Sequence, residues 1–506
     1  YGDAAKLTVA TQPVGGKTGD NLGTQPIIRV EDAYGNLVAN SSASVAATMT
    51  NPRAGDVLNG ATVTAINGVA TFTALNIVTL PGSSSLTFNS SSLTAATSSS
   101  FTIAHADASQ LVITSAPTGG NATGERLSGQ PVVEIRDRFN NLATSSTANV
   151  TVSVASGSAG SLTSGETTVA AVGGVATFTN VRLIGLPANS YTLGFASGSL
   201  TGATSSALSV TFNTAYQIAI TTQPVGGQTA LALTTQPVVE IQDFYGNRVA
   251  NDNSTVVTAA ISSGAGGTLA GARSLTAVNG VVTFTDLALI GTPSVNYKLG
   301  FTSSPLVAAN SNNFTVVAGA ATQISMLTQP VGAVTGMNLG TQPAVELLDF
   351  YGNVVLSDST TVVSVAIASG TGGTLSGNLT ATAVNGVATF AGLKLTATPQ
   401  ANYTLRFSSG SLATATSSAL QVTHDAATSF RWITQPVGTA TGEDLATQPV
   451  LELLDQYLNR TTSDNSTVVT ASIRTGTNGS LAQVTANATG GVITFDSLNL
   501  VGTPGV

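Results

Sequence analysis

The sequence predicts an all-β fold, built as a tandem array of two-layer β-sandwiches. Three observations carry this. The sequence repeats itself with a period of about 106 residues. Within each period, apolar residues alternate with polar ones in short runs bounded by turn signals. The composition is charge-poor, with 8% charged residues against 42% apolar ones. A chain of 506 residues is too long for one hydrophobic core, so several domains are expected. The alternation and apolar content argue against disorder.

The period is read from two registers. The dipeptide Gln-Pro recurs at Pro26, Pro131, Pro237, Pro343 and Pro449, spaced by 105 and then by 106 residues. Val69, Val175, Val281, Val387 and Val492 each follow a turn and stand three residues before a Phe. The period is too long for a solenoid unit and right for a self-sufficient sandwich. It divides the chain into 1–104, 105–213, 214–319, 320–424 and 425–506. The last copy is expected to be incomplete. It stops at Val506, after Leu498 to Pro504, without equivalents of Tyr297-Leu299-Phe301 and Phe314-Val316. Either the parent chain continues, or strands from another subunit complete the fold.

The third copy justifies the elements in order. Ile218 and Ile220 alternate on one strand face. Pro237 opens Val238 to Asp243, where Val239 and Ile241 point inward and Glu240 outward. Phe244-Tyr245-Gly246-Asn247 is a turn, with Gly246 suited to positive φ. Thr255 to Ile261 is a β-branched run. Asn279-Gly280 between two alternating runs is a hairpin signal, matched by Asn67-Gly68, Gly173-Gly174, Asn385-Gly386 and Gly490-Gly491. Tyr297 to Phe301 and Phe314 to Val316 complete the unit. The residues matching Ile218 and Ile220 are Leu7 and Val9, Leu111 and Ile113, Ile324 and Met326, and Phe430 and Trp432. Trp432, the only Trp, is thereby expected in the core.

The alternating strand, the Asp-x-x-Gly-Asn turn (Asp32, Gly35, Asn36; Asp243, Gly246, Asn247) and the Asn-Gly-Val-Ala-Thr-Phe hairpin resemble the bacterial immunoglobulin-like repeats of invasin- and intimin-type adhesins and giant surface proteins. The resemblance covers the chain five times, although copy two carries Phe139-Asn140-Asn141 and copy five Leu458-Asn459 at the turn. Tyr191, Tyr297 and Tyr403 resemble the tyrosine corner of such sandwiches, while copy one has Ser84 there. The resemblance implies surface display, spacing or adhesion, and no catalysis.

The candidate sites are few. Asp32, Asp137, Asp243, Asp349 and Asp455 occupy one position in every copy, where an Asp accepts backbone N–H groups of the following turn. Glu134, Glu240, Glu346 and Glu452 lie three residues earlier, on the opposite strand face, so no carboxylate pair forms. A minor alternative is calcium, held by Asp243 with Asp252, Asp349 with Asp358, and Asp455 with Asp464. Calcium asks for six to eight oxygens, and no EF-hand loop is present. No metal or cofactor is therefore expected. Cysteine is absent, and His105 and His424 fall in linkers with no repeating Ser or Asp setting, so no catalytic residue is expected. The lysines Lys6, Lys17, Lys298 and Lys394 do not align between copies, which excludes a repeating Lys–Asn crosslink.

The net charge of −8 excludes nucleic acid as partner. No apolar run is long enough to span a membrane. The sequence begins at a copy boundary with neither Met nor a signal peptide, as a mature product or a piece of a longer chain does. Short linkers, such as Ala104 to Ala108 and Thr423 to Ala427, predict a semi-rigid string of about 40 Å per sandwich, on the order of 200 Å in all. The expected role is extracellular and structural: a stalk, sheath or fibre at the cell surface. The alternatives are an adhesin stalk with its tip outside this segment and accessory glycan-binding modules of a secreted enzyme. The expected partners are further copies packing laterally, through outward residues such as Leu348 and Leu454, or a host or neighbouring cell surface.

Overall fold

In the computed structural model, residues 1–163, 165–399 and 401–503 are described; Pro504 to Val506, where the last copy stops, lie outside them. Every regular element among the described residues is a β-strand. In the third period Ala215–Thr222, Val238–Asp243 and Val281–Thr283 form one antiparallel sheet in that order. Ser274–Thr276, Val256–Ser263, Lys298–Thr302 and Ala309–Asn310 form the second. Thr268–Ala270 pairs separately with Ala288–Ile290.

Register explains the core. Ile218 stands opposite Ile241, and Ile220 opposite Val239. Directly opposed residues point to the same face, so the alternation of both strands delivers one apolar layer. Val257, Phe301 and Leu299 from the second sheet meet it, in a cluster with Ile218, Val239 and Ile241. The first strand also touches the end of its own period: the Ile218 N–H donates to Val307 O at 2.9 Å, in a parallel bridge that closes one edge.

The same sheets recur in the first, second and fourth periods, each with its own buried cluster. The fold is a tandem array of immunoglobulin-like β-sandwiches. Two devices lock the second, third and fourth units, and the first unit has only the second of them. Tyr297, fully buried, accepts the Thr292 N–H at 2.9 Å and donates to Ala265 O at 3.2 Å. The Gln before each recurrent Pro works as a piece of backbone: Gln236 accepts the Leu287 N–H at 3.0 Å and donates to Leu287 O at 2.9 Å. Gln25, Gln130 and Gln342 do the same at Leu75, Val181 and Leu393.

The fifth period differs. Ser429–Thr434, Val450–Leu454, Val492–Thr494, Thr485–Thr489 and Val468–Thr470 form one five-stranded sheet. The expectation of a buried Trp432 fails: Trp432 is 49% and Phe430 57% exposed, on an open cleft with Leu451, Ile473 and Phe495. In the third period the residues covering Ile218 come from Lys298–Thr302 and the segment around Val307 and Phe314. The fifth period of this sequence holds no counterpart of them. Leu454, expected to face outward, is also buried, with strand partners Ser429 and Arg460 on its two sides; Leu348 is half-buried.

Candidate functional site

The recurrent Asp sits where one period hands over to the next. Asp243 follows the Val238–Ile241 alternation and is fully buried. Its Oδ1 accepts the N–H groups of Tyr245 and Asn247, each at 2.9 Å. This shapes the turn, which Gly246 completes at a φ of +83°. Its Oδ2 accepts the Asn213 N–H at 2.9 Å, from the segment entering the period 30 residues upstream. The pattern holds along the chain: Asp137 takes the Ala106 N–H, Asp349 that of Gly319, Asp455 that of Asp425, and Asp32 that of Gly2.

The charge balance follows from these donors. Burial pushes the Asp349 carboxyl up, but the N–H groups of Asn353, Gly319 and Tyr351 outweigh it and hold the carboxyl below its ordinary range. The same balance lowers Asp137 and Asp455. At Asp32 the Gly2 and Asn36 donors depress it furthest.

The preceding period grips the same segment from the other side. Ala104 N–H donates to Gly16 O at 2.9 Å, and Ala104 O accepts the Thr18 N–H at 2.8 Å. Thr211, Val317 and Thr423 are held identically by residues 121–123, 227–229 and 333–335. Between the last residue bonded backward and the first bonded forward stands a single residue: His105, Phe212, Ala318 or His424. A joint of one residue leaves two free backbone dihedral pairs at most, far from a flexible linker.

Side chains reinforce three of the four joints. His105 Nδ1 lies 2.7 Å from Ala106 O and its Nε2 2.8 Å from Ser145 Oγ. His424 repeats this with Asp425 O at 2.8 Å and Ser463 Oγ at 2.7 Å. With Nδ1 donating to the carbonyl, Nε2 is the acceptor, and it also takes the Ser463 N–H at 2.9 Å. The expectation that the histidines lack a repeating Ser setting is thus corrected: the serines lie 40 and 39 residues away and meet them only in the fold. Both pairs sit in the open, so they brace the joint rather than line a cleft. Phe212 packs on the core of the third period. Salt bridges Lys17–Asp107 at 2.5 Å and Arg138–Asp20 at 3.0 Å span the first joint. Asn213 Nδ2 donates to Thr123 O at 3.2 Å across the second.

The second aspartate of each calcium pair serves its own loop. Asp252 Oδ1 accepts the N–H groups of Ser254 and Thr255, and its Oδ2 the Thr255 hydroxyl. Asp358 and Asp464 do likewise with Thr361 and Thr467. Asp252 O accepts the Gly280 N–H at 2.7 Å, so this loop serves the hairpin while Asp243 serves the joint. Among the described residues no group of three or more His, Cys, Asp or Glu side chains is placed to hold a metal ion.

No family model matches the sequence. No curated protein matches it either. Among solved structures, the surface layer protein SbsC, domains 1–6, is 14% identical over 98% of this chain, which spans 64% of that structure's length, at a TM-score of 0.23. Invasin, titled a bacterial integrin-binding protein, is 12% identical over 98% of both chains, at 0.25. A tetra-tandem repeat in the extending region of a large adhesion protein is 14% identical, covering 83% of this chain and all of its own, at 0.28. These values carry no argument about what the chain does; the fold stands on its own sheets and registers.

Proposed function

We propose that the chain is a non-enzymatic, extracellular spacing element of a bacterial surface protein, made of five immunoglobulin-like units at 1–104, 105–213, 214–319, 320–424 and 425–506, the last of them incomplete in this sequence. The observation that carries this reading is the one-residue joint gripped from both sides. Such joints turn a string of domains into a semi-rigid rod, and a rod is what a stalk, sheath or fibre needs. The recurrent aspartates and the Asp252, Asp358 and Asp464 loops act in it as hydrogen-bond acceptors, not as metal ligands. The alternative role is the stalk of an adhesin whose binding tip lies outside this segment.

Lateral packing with further copies is supported by one exposed apolar residue before the hairpin turn in each of the first four periods: Ile66, Val172, Val278 and Val384, 64–81% exposed. Concentration-independent sedimentation as a monomer up to millimolar protein counts against that part. For the rod itself, electron microscopy of single molecules decides. Elongated particles on the order of 200 Å in contour are expected, with runs of several units straight. Coiled particles that bend at every junction overturn the reading.

A further inference from the structure

The joints are not equivalent, and the difference is written in two positions. In the first, second and fourth units the loop that grips the outgoing segment carries a glycine at positive φ: Gly19, Gly124 and Gly336, at +77°, +78° and +77°. Each faces the aromatic ring of the next unit's Asp turn. A Cβ on Gly19 would stand 2.3 Å from the Phe139 ring, one on Gly124 2.0 Å from the Tyr245 hydroxyl, and one on Gly336 1.9 Å from that of Tyr457. A turn aromatic of one unit therefore seats on a bare glycine of the unit before it, and no side chain fits between them. Tyr34, with no unit before it in this sequence, is 91% exposed, against 36% for Tyr245 and 38% for Tyr457.

The third unit breaks the rule. Its residue at this place is Ala230, with φ at +65°. The backbone is otherwise the same: the Ala230 N–H donates to Leu289 O at 2.9 Å, as Gly124 does to Leu183 O at 2.9 Å and Gly336 to Leu395 O at 3.0 Å. A β-carbon at the equivalent place in the other units would stand 1.9–2.3 Å from the seated ring. Tyr351, the ring due to seat there, is accordingly the most exposed of the three tyrosines that follow another unit, at 48%. The same joint also has the smallest linking residue. Where the others carry His105, Phe212 and His424, each anchored to the following unit, this one carries Ala318, followed by Gly319.

We propose that the junction between the third and fourth units is a built-in pivot, in an array whose other junctions are held by an aromatic ring seated on a glycine. The occupant of each glycine seat is the turn aromatic of the next copy of the same repeat, and Ala230 closes one seat. A pivot between two runs of seated units lets one run reorient against the other while each stays stiff. The inference rests on the rod reading above.

The chain has no cysteine, so paired spin labels can be placed in the full-length protein without background. Ala170, Thr276 and Thr382 are exposed and occupy equivalent strand ends in the second, third and fourth units. One protein carries Ala170→Cys with Thr276→Cys, the other Thr276→Cys with Thr382→Cys. Electron–electron distance distributions are expected near 40 Å for both pairs. The second is wider by roughly twofold or more, as for domains without a seated contact. Ala230→Gly narrows the second distribution, while Gly124→Ala and, leaving the backbone untouched, Tyr245→Ala each broaden the first. Two equally narrow distributions, with no response to Ala230→Gly, overturn the pivot and leave the rod standing. Two equally broad ones, insensitive to every variant, overturn the rod and the pivot together.

Discussion

Asp349 Oδ2 accepts the backbone N–H of Gly319 at 2.9 Å, so a side chain inside one sandwich holds the first residue that enters it. Asp349 Oδ1 meanwhile takes the N–H groups of Tyr351 and Asn353. One carboxylate thus shapes a turn and fixes a joint, and its buried position makes its loss costly. Asp349→Ala leaves three backbone donors without their acceptor. It is expected to destabilise the fourth unit by about 1–3 kcal/mol in denaturant unfolding, with a smaller loss for Asp349→Asn.

The pH dependence follows with a definite sign. The Asp137, Asp349 and Asp455 carboxyls titrate below the ordinary carboxylate value in the folded protein. Their contribution to stability is therefore fully present above the unfolded value, about pH 4, and is lost as pH falls through the lower folded values. Denaturation midpoints should be flat from neutral pH to about pH 5 and fall below about pH 4. A midpoint that rises on acidification contradicts this assignment.

Calcium should have no part in stability. The carboxylate oxygens of Asp243 and Asp252 are already occupied, by N–H and O–H donors from their own loops and, at Asp243 Oδ2, by the Asn213 N–H of the entering segment. Thermal unfolding in EDTA and in millimolar calcium is expected at one temperature. A melting point several degrees higher with calcium overturns this reading of the aspartates.

Much of the fold was legible because its signals are local. The Gln-Pro and hairpin registers mark every period, and the Val238–Asp243 alternation gives the buried face directly. The partnerships that were not legible are long-range. The Gln236 amide bonds the backbone at Leu287, 51 residues on, and nothing in a Gln-Pro dipeptide names that partner. The His424–Ser463 contact joins residues 39 apart. Phe430 and Trp432 alternate like core residues, and their exposure depends on strands that the fifth period of this sequence does not contain.

Leu458 offers a test of backbone strain. It stands where Gly246 and Gly352 stand in other units, and it adopts the same left-handed backbone at a φ of +63° with its side chain 68% exposed. Leu458→Gly removes the steric cost of a β-carbon there without losing a buried contact. The substitution is expected to stabilise the fifth unit by about 1 kcal/mol, read as a raised denaturation midpoint. Asn140, at +66° in the second unit, is a residue type that tolerates this region, so Asn140→Gly should change little.

The central claim is that each joint has only one residue not gripped by a neighbouring sandwich, and hydrogen exchange at the entering amides tests it most directly. The N–H groups of Ala106, Asn213, Gly319 and Asp425 each donate to an Asp Oδ2. In the intact chain at neutral pH these amides should be protected to the level of the flanking strands, and Asp349→Ala should abolish protection at Gly319 alone. Exchange at all four as fast as in an open linker, unchanged by the substitution, contradicts the account.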